Sequence, residues 1–416
     1  MKTRNVWIVN HYAGVPSKGG GGRHFALAQR AAIAGWNPTL FLASTKHPGG
    51  QQLLSGFARR KIVSEGGVRS VWVRTNGYGY SKVLRVLGMG AFTLNLLLPG
   101  MTRGLERPDI VVGSTVHPLA AWAGWRLARR YRVPFVFEIR DVWPETLIDY
   151  GALSENSMAT RLLRNRLAQL ARSASAVIAP LPYVDLWLNE VGLPDSRFVW
   201  IPNSVEFTEE TMPEVPSRVD QNQFTLMYLG SHGNANALHT LLDAFDLACR
   251  ERPDLELRLR LVGDGPAKPK LQDQARALSS GRKIWFEDQI PRHEVTERAR
   301  EADCLIATLA DKPVYKYGVS LNKLFTYLNA ARPIIWAANA PNNPIRDANA
   351  GICVPSDDVP KLAAAIVEMA DSDHARRKEF ARNGWEHVRE HYSFDVLGSR
   401  FTDLLDDLSG GTDANE

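Results

Sequence analysis

The chain has 416 residues, of which 44% are hydrophobic and 23% are charged, so a disordered or fibrous protein is excluded and two or three globular domains are predicted. Its three cysteines, Cys249, Cys304 and Cys353, are odd in number and far apart. That spacing excludes a disulfide framework and a zinc site with the usual paired ligands. A secretory signal and a run of ~20 apolar residues are both missing, so we expect a cytoplasmic protein, soluble or peripheral to a membrane.

Positive charge is concentrated in the first half of the chain. Residues 1–200 hold 25 Lys and Arg against 11 Asp and Glu, whereas the remainder holds 25 against 34. Within the first hundred residues Glu65 is the only acid, against 13 bases. Such a lopsided field indicates an anionic partner, either a membrane surface or nucleic acid.

One segment favours the membrane. In SKVLRVLGMGAFTLNLLL (residues 81–98), Lys82 and Arg85 precede a run that is apolar from residue 86 to 98 except at Thr93 and Asn95. A basic start followed by an apolar run is typical of a helix that lies in the membrane interface. We therefore predict an anionic membrane surface as partner, at the inner face of the cell membrane, and no nucleic acid; a buried core helix is the alternative.

Short β-branched runs alternate with longer helical patterns along the chain, which predicts βα units and parallel sheets. The predicted strands of the first series cover residues 6–10, 39–43, 68–73, 110–113, 135–139, 176–178 and 198–201. After the polar, proline-containing stretch 206–223, the second series covers residues 225–229, 257–262, 283–286, 303–308, 333–337 and 352–354. The predicted fold class is α/β, with two doubly wound domains.

The domain boundary is predicted near residue 205, with a first domain of residues 1–204 and a second domain that starts at 205. Residues 409–416 (SGGTDANE) are predicted to be a disordered tail. In doubly wound sheets, ligands bind beyond the carboxyl ends of the strands. The loops that follow the predicted strands are therefore the places to look for chemistry.

The loop after the first strand holds four consecutive glycines, Gly19, Gly20, Gly21 and Gly22. Glycines let the backbone approach a ligand closely, and free amides at the start of the following helix favour an anion. The GxGxxG pattern matches any glycine run, and the Walker pattern is missing because Lys18 precedes the glycines. A loop that is only flexible remains the alternative.

Three loops of the second domain are candidates for a ligand site. Gly263, Asp264 and Gly265 follow a strand and open a helix, and residues 230–236 form another small, polar loop. A third, glycine-containing loop precedes a helix whose first turns carry Asn322, Lys323 and Thr326. A cation beside free helix amides suits a diphosphate, although a solvated surface lysine is the alternative for Lys323.

Two loops of the first domain carry charged or titratable groups. Arg140, Asp141, Trp143 and Glu145 follow the predicted strand at 135–139, an unusual concentration for a purely structural loop. The alternative is a network between Arg140 and Asp141 that pins the loop. His117, after the preceding strand, is either a site residue or a helix-start residue with a local hydrogen bond.

The sequence predicts that the protein binds neither a metal nor a cofactor. It has no HExxH, no GxSxG and no cysteine-rich cluster, and its only DxD-like string is Asp371-Ser372-Asp373. That string lies in a connection between predicted helices, far from any strand end. A divalent metal that holds a nucleotide diphosphate is therefore not expected.

Several of these segments together resemble a known enzyme family. IPNSV (residues 201–205), LVGDGP (261–266) and YKYGVSLNKLFTYLNAARPII (315–335) resemble motifs of the retaining glycosyltransferases of family 4. With RDVWPE (140–145), the last of these resembles the branch of fucosamine-type transferases in bacterial capsule, O-antigen and colanic-acid assembly.

The resemblance implies the GT-B fold, two Rossmann-like domains that face each other across a cleft. The second domain then covers residues 205–387, and a C-terminal helix at about 388–408 returns to the first domain. It also implies transfer of a hexose or N-acetylhexosamine, from a nucleotide-sugar that carries UDP, to a polyprenyl-diphosphate-linked saccharide. The reaction belongs to cell-surface polysaccharide or lipopolysaccharide synthesis.

The resemblance also assigns residues to roles. The catalytic set is His117, Arg140, Asp141 and Lys323. The donor-binding set is Gly19, Gly20, Gly21, Gly22, Ser231, His232, Gly263, Asp264, Gly265, Gln289, Ile290, Ser320, Asn322 and Thr326. Five positions depart from the family: Ser231 and Asn236 replace a usual Arg and Lys, Thr326 and, by the best match, Tyr315 replace two glutamates, and Arg140 replaces a histidine.

The expected mechanism is retention of the anomeric configuration. Inversion needs a general base near the acceptor hydroxyl, and Arg140 cannot be one because it stays protonated. Two other functions remain open. A non-hydrolysing UDP-sugar epimerase shares the fold and donor, and a nucleotide-sugar-binding module without turnover fits the missing Arg, Lys and Glu.

Overall fold

A computed structural model describes residues 3–18, 22–46, 49–79, 81–115, 117–207, 211–215 and 223–410. The chain divides into two compact units, Met1–Pro202 with Phe394–Glu416, and Asn203–Ser393. The predicted boundary after residue 204 lies two residues beyond the observed one. Gly19, Gly20 and Gly21 of the predicted glycine loop, and residues 411–416 of the predicted tail, lie outside the described residues.

Strands and helices alternate through most of the chain. The strands are β1 (Arg4–Val9), β2 (Trp36–Ala43), β3 (Arg60–Glu65), β4 (Val68–Val73), β5 (Ile110–Ser114), β6 (Phe135–Glu138), β7 (Ala176–Ala179), β8 (Phe198–Trp200), β9 (Gln223–Leu229), β10 (Glu256–Val262), β11 (Ile284–Glu287), β12 (Cys304–Thr308), β13 (Ile334–Ala337) and β14 (Gly351–Val354). The α-helices are α1 (Arg23–Ile33), α2 (Lys82–Leu97), α3 (Pro118–Tyr131), α4 (Glu145–Asp149), α5 (Met158–Arg172), α6 (Val184–Glu190), α7 (Leu238–Glu251), α8 (Lys268–Ala277), α9 (Val295–Ala299), α10 (Asn322–Asn329), α11 (Pro344–Asp347), α12 (Val359–Asp371), α13 (His374–Tyr392) and α14 (Phe394–Gly410).

The first unit contains an eight-stranded sheet in the order β3-β4-β2-β1-β5-β6-β7-β8. All its neighbouring strands pair in parallel except β3 and β4. The central strands β1 and β5 are almost wholly buried, as expected for parallel strands that are covered on both faces. The predicted doubly wound first domain is confirmed.

Strand β3 was not predicted. It pairs antiparallel with β4 at the edge of the sheet, and several of its side chains are exposed. Its sequence, RKIVSE, lacks the continuous apolar character of the other strands because an edge strand has one open side. The turn that joins it to β4 did carry a signal: Gly66 and Gly67 both have positive φ, as a two-residue hairpin requires.

The second unit contains a six-stranded, wholly parallel sheet in the order β11-β10-β9-β12-β13-β14. Its core joins the apolar face of β9 and β10 to α7, α8 and α12. All six predicted strands of the second domain are present. Because every strand is parallel, the carboxyl ends of β9, β10 and β11 meet at one edge of the sheet.

The C-terminal helix packs on the first unit, and it begins later than predicted. Helix α13 belongs to the second unit, where Val388 is buried, so the predicted start at residue 388 is wrong. Leu397 and Phe401 of α14 enter the core of the first unit. This helix runs through Gly410, and Ser409 accepts a hydrogen bond from Arg4 at 2.8 Å. Residues 409 and 410 are therefore helical and not part of a tail.

Candidate functional site

In the second unit, the loops after β9 and β10 pack directly on each other. Gly230 donates to the carbonyl of Val262 at 3.0 Å, and His232 donates to the carbonyl of Asp264 at 2.9 Å. A Cβ atom on Gly263, whose φ is +145°, would lie 2.0 Å from the carbonyl oxygen of Gly230. Only glycine at position 263 allows the two loops to pack this closely. The glycine in this loop is therefore explained by packing.

Lys323 joins helix α10 to the loop after β9. Its Nζ donates to the Tyr228 hydroxyl at 2.8 Å and to Asn236 Oδ1 at 2.5 Å, and it lies 4.5 Å from the centroid of the Tyr228 ring. Although part of the side chain remains exposed, desolvation of the ammonium group lowers the pKa of Lys323 to about 7. Lys323 is therefore not a freely solvated surface lysine.

The two positions where the family usually has cations hold the loop together. Asn236 Nδ2 donates to the carbonyl oxygen of Ser231 at 2.8 Å, and the Tyr228 hydroxyl donates to the same oxygen at 2.8 Å. Ser231 is exposed, and Asn236 accepts the hydrogen bond from Lys323. The positive charge of this loop is thus supplied from α10 and not from the loop itself.

His232 is enclosed by the loop that carries it. The imidazole is fully buried and lies about 6 Å from the rings of Tyr228 and Phe286. Neither ring nitrogen has a hydrogen-bond partner among the described residues. Desolvation, with the charge of Lys268 beside it, lowers the pKa of His232 to about 4. His232 is a neutral support of the loop in this structure, and its backbone rather than its ring holds Asp264 and Ala267.

Sequence reasoning missed two residues that organise this edge of the sheet. The Lys268 ammonium donates to the carbonyls of Gly263 and Glu287 at 3.0 Å each, which links the ends of β10 and β11. The Tyr327 hydroxyl accepts from the backbone of Leu229 at 2.7 Å and donates to its carbonyl at 3.0 Å. Lys268 follows the predicted GDGP loop at the start of α8, which was an available signal; Tyr327 carried none.

The remaining predicted donor-binding residues lie around the same edge. Ser320 Oγ accepts from the backbone amide of Asn203 at 2.9 Å, and the Asn203 side chain donates to the Ser320 carbonyl at 2.6 Å. Asn322 begins α10, whose N-cap makes no side-chain hydrogen bond. The Leu324 amide donates to the Leu321 carbonyl at 3.0 Å, which leaves the first two amides of the helix for an anion. Thr326 lies one turn later, and Gln289 and Ile290 follow β11.

In the first unit, His117 caps helix α3. Its Nδ1 accepts from the amide of Ala120 at 3.2 Å, so Nε2 carries the ring proton. Nε2 is buried and has no hydrogen-bond partner in the part of the chain that the structure describes. Desolvation, together with the charge of Arg85, lowers the pKa of His117 to about 3. The side chain is thus a neutral hydrogen-bond donor, and the predicted local hydrogen bond is present as well.

Arg140 and Asp141 follow β6 at the carboxyl edge of the first sheet. The Arg140 backbone amide donates to Thr115 Oγ1 at 2.9 Å, and its side chain is partly exposed. Within the described residues, no hydrogen bond or ion pair joins the two side chains, and Arg140 Nε has no partner. The alternative of an Arg140–Asp141 network that pins the loop is therefore wrong.

A buried ion pair that the sequence did not predict lies beneath this loop. Glu138 accepts from Arg23 Nε at 2.9 Å and contacts His24 Nε2 at 2.5 Å, and Arg23 also donates to the carbonyl of Pro202. The Arg23 and Glu138 side chains are 4% and 1% exposed. Burial opposes ionisation, but His24 and Arg23 hold the pKa of Glu138 well below its usual range. Gly22, the described glycine of the loop, precedes this pair as N-cap of α1.

Helix α2 is half core and half surface. Phe92 and Leu96 are buried, whereas Val83, Val86 and Leu94 are 70%, 61% and 69% exposed. Arg85, one of the bases assigned to membrane binding, donates to the Tyr12 hydroxyl at 2.9 Å. One face of the helix therefore fits the alternative of a core helix, and membrane binding by the exposed face stays a prediction. Among the described residues, no helix has the length and apolar character needed to cross a bilayer.

The acids of the DxD-like string have structural partners. Asp371 pairs with Arg252, and Asp373 caps α13 by accepting from the amide of Arg376 at 2.7 Å. In the described part of the chain, no three His, Cys, Asp or Glu residues are grouped as a metal site.

Comparisons with known proteins relate each unit to a described domain. Residues 19–204 match the family model described as "Glycosyl transferase 4-like domain". Residues 223–372 match the family model described as "Glycosyl transferases group 1". The two matches occupy separate parts of the chain and correspond to the two sheets.

Individual relatives are distant. The probable glycosyltransferase WbjE of Pseudomonas aeruginosa is 24% identical over 284 residues, which cover 66% of this chain and 69% of WbjE. The sucrose-phosphate synthase of Thermosynechococcus elongatus has a TM-score of 0.71 at 16% identity, over 98% of this chain and 100% of its own. HepE of Anabaena, solved in complex with UDP and glucose, has a TM-score of 0.64 at 13% identity, over 97% and 100%. At these identities the solved structures show a shared fold.

Proposed function

The chain is a glycosyltransferase of the GT-B fold, and from this premise we propose that it transfers a hexose or N-acetylhexosamine from a UDP-linked nucleotide-sugar to a polyprenyl-diphosphate-linked saccharide. The product would be a bacterial cell-surface polysaccharide, in the fucosamine-type branch. The proposal is carried by one observation, the Lys323 ammonium held over the glycine loops at the carboxyl edge of the second sheet. The similarity to WbjE supports glycosyl transfer, and the UDP in the HepE complex supports a UDP-linked donor.

The donor diphosphate would be held by one cation and by backbone amides. Lys323 supplies the charge, while the amides at the start of α10 and those of the glycine loops supply hydrogen bonds. The strand ends β10 and β11, with Gln289 and Ile290 after them, would hold the nucleoside. Thr326 replaces a family glutamate on the ribose, so that contact would be weaker or made by the backbone.

The proposed reaction retains the anomeric configuration. The acceptor hydroxyl oxygen forms the new bond to the anomeric carbon, and the bond from that carbon to the UDP oxygen breaks. The departing phosphate oxygen takes the hydroxyl proton on the same face. The protein contributes charge stabilisation and positioning, with Lys323 facing the leaving group. His117 can donate a hydrogen bond but, being neutral with Nδ1 occupied, supplies no base at that nitrogen.

Transfer should persist in excess EDTA, because we propose that no divalent metal takes part. The two acids of the only DxD-like string are engaged by Arg252 and by the start of α13. The transfer rate before and after EDTA treatment measures this directly. A rate that falls and is restored by Mg²⁺ or Mn²⁺ would contradict metal independence.

We further propose that α2 binds the inner face of the cell membrane. The exposed side chains of Val83, Val86 and Leu94 provide the apolar surface, and the bases of the first hundred residues provide attraction to anionic lipid. Phe57, in the loop before β3, is fully exposed and adds apolar area beside the exposed bases Arg59 and Lys61.

Vesicles of anionic lipid should sediment the protein, and binding should fall as salt rises, because ions screen surface attraction beyond ~10 Å at 0.1 M. Replacing Val86 and Leu87 with serine should weaken binding about tenfold or more, since each loses roughly 1.5–3 kcal/mol of apolar transfer at most. Ile33→Ser changes an apolar side chain on α1 that is 76% exposed, more than Val86 or Leu87, and this control should bind normally. Equal binding to neutral and anionic vesicles would remove the electrostatic part of this proposal.

The function is tested by incubating the protein with nucleotide-sugars and membrane extract. Release of UDP together with labelled lipid-linked saccharide is the expected result. Formation of an epimer without transfer would identify an epimerase. Nucleotide binding with neither product would identify a binding module without turnover.

A further inference from the structure

The Lys323 ammonium has hydrogen-bond partners but, among the described side chains, no counter-ion. Its two acceptors, the Tyr228 hydroxyl and the Asn236 amide oxygen, are neutral. Both partners also bind the carbonyl of Ser231, so they are fixed by the loop and cannot rotate away without breaking a second hydrogen bond. The four residues form one closed network at the end of β9. An ammonium has three protons, so two are engaged and one remains for a ligand.

Among the described residues, no carboxylate pairs with Lys323. Titratable side chains around α10 are Tyr228 on β9, His232 in the following loop, Tyr327 on α10, Glu297 and Arg298 on α9, and His387 and Tyr392 on α13. Glu297 is paired with Arg300 at 2.6 Å, and the charges of Asp264 and Lys268 act on His232. The two tyrosines nearest to it are buried, which raises the pKa of each and keeps it neutral. His232 is neutral as well. A cation that is desolvated without an opposite charge readily loses its proton.

We propose that Tyr228 and Asn236 are positioning residues that aim the Lys323 ammonium at the donor diphosphate, and that the site takes up a proton when the diphosphate binds. This inference rests on the proposed function, because it requires a nucleotide diphosphate as ligand. The diphosphate supplies the counter-charge that the loop lacks, so the protonated amine is favoured only in the complex. Asn236, at a position where the family has a cation, orients the single charge instead of adding a second.

The lowered pKa of Lys323, about 7, agrees with this geometry. At pH 7.0 the free protein would hold the amine about half protonated, so that UDP binding would draw in roughly half a proton at this group. At pH 5.5 the amine is already charged, and uptake there should vanish. A lysine with an ordinary pKa would take up no proton at either pH.

Proton uptake is measured by titrating the whole protein with UDP in a calorimeter, in buffers of equal pH and different ionisation enthalpy. The wild-type count at pH 7.0 is compared with that of Lys323→Arg, whose guanidinium stays charged and whose count therefore reports only the protons of UDP itself. Lys361→Arg is the matched control, because Lys361 pairs with Asp358 on α12. It should keep the wild-type count.

Substitutions of the two positioning residues should change the number of protons taken up on UDP binding in opposite directions. Asn236→Asp supplies a carboxylate beside the amine, so uptake at pH 7.0 should fall to the Lys323→Arg level and UDP affinity should drop about tenfold. Tyr228→Phe keeps the ring and removes an acceptor, so uptake should rise toward one proton while affinity falls about three- to tenfold. A merely structural role would leave both counts at the wild-type value.

Equal counts in wild type and Lys323→Arg, with UDP bound by both, would overturn this inference and leave the proposed donor intact. No binding of UDP or GDP by the wild-type protein would overturn the donor and this inference together. Circular dichroism identifies any variant that fails to fold. For that case, the wild-type protein is titrated with a UDP-sugar, whose diphosphate has no group that titrates between pH 5.5 and 7.0, and the loss of uptake between these pH values then reports on the protein alone.

Discussion

Replacing Lys323 with alanine should lower the turnover of sugar transfer by about ten- to a hundred-fold or more at saturating donor. A charge-assisted hydrogen bond contributes roughly 1.5–3 kcal/mol, and charge on the leaving oxygen grows toward the transition state. The expected loss is therefore in turnover and not only in donor binding. The measurement is the rate of UDP release in the presence of acceptor, with circular dichroism to verify that the variant folds.

Two further variants make this result specific. Ser231→Arg restores a cation at a position where the family has one, and it should partly rescue Lys323→Ala if both side chains reach the same phosphates. Lys361→Ala, a lysine in a surface ion pair on α12, should leave turnover unchanged. If Lys323→Ala transfers sugar at the parental rate, the diphosphate is held by backbone amides.

Replacing Glu138 with glutamine should lower the free energy of unfolding of the first unit by about 3–5 kcal/mol, because it leaves the buried guanidinium of Arg23 without its counter-charge. Glutamine has nearly the same shape, so little packing changes. Urea unfolding of the variant and the wild-type protein measures the difference. Since the pKa of Glu138 is lowered in the folded protein, the stabilisation is present at neutral pH and is lost as the pH falls below the carboxyl's ordinary value.

The matched control is Glu106→Gln, which removes a carboxylate from a pair with Arg69 at the surface, where the Glu106 side chain is 51% exposed. A surface pair contributes about 1 kcal/mol or less, so this variant should unfold almost as the wild-type protein does. Losses of equal size in the two variants would mean that burial does not distinguish the pairs. A small loss for Glu138→Gln alone would mean that water or Pro202 compensates Arg23.

The parallel strands were readable from the sequence because burial on both faces demands continuous β-branched runs. The predicted 68–73 coincides with β4, bounded before it by the Gly66–Gly67 turn. The edge strand β3 was not predicted, because an exposed strand does not need a continuous apolar sequence. The end of α13 and start of α14 also escaped, since a helical pattern does not show at which residue a chain passes from one unit to the other.

The site was predictable where a loop carries its own signal. Gly263 and Gly265 were found because close backbone contact requires glycine, and Lys323 because it begins a helix. Tyr228 looked like a core aromatic of β9, and its hydroxyl acquires a role only when the following loop folds back. The partners Arg23 and Glu138 are 115 residues apart, and a single sequence does not reveal that their charges meet.

The hydrogen bonds between Asn203 and Ser320 determine where a fragment that contains only the second unit should begin. A fragment that begins at β9, the first strand of the second unit, or at the predicted boundary of residue 205 lacks Asn203. It therefore lacks both hydrogen bonds to the Ser320 loop. It also discards the hydrogen bond from Ser204 to the carbonyl of Tyr392. A fragment that begins at Asn203 and ends at Ser393 keeps these contacts, together with the Val205–Ser393 bridge. Residues 203–205 thus belong to the second unit and form its first structural element.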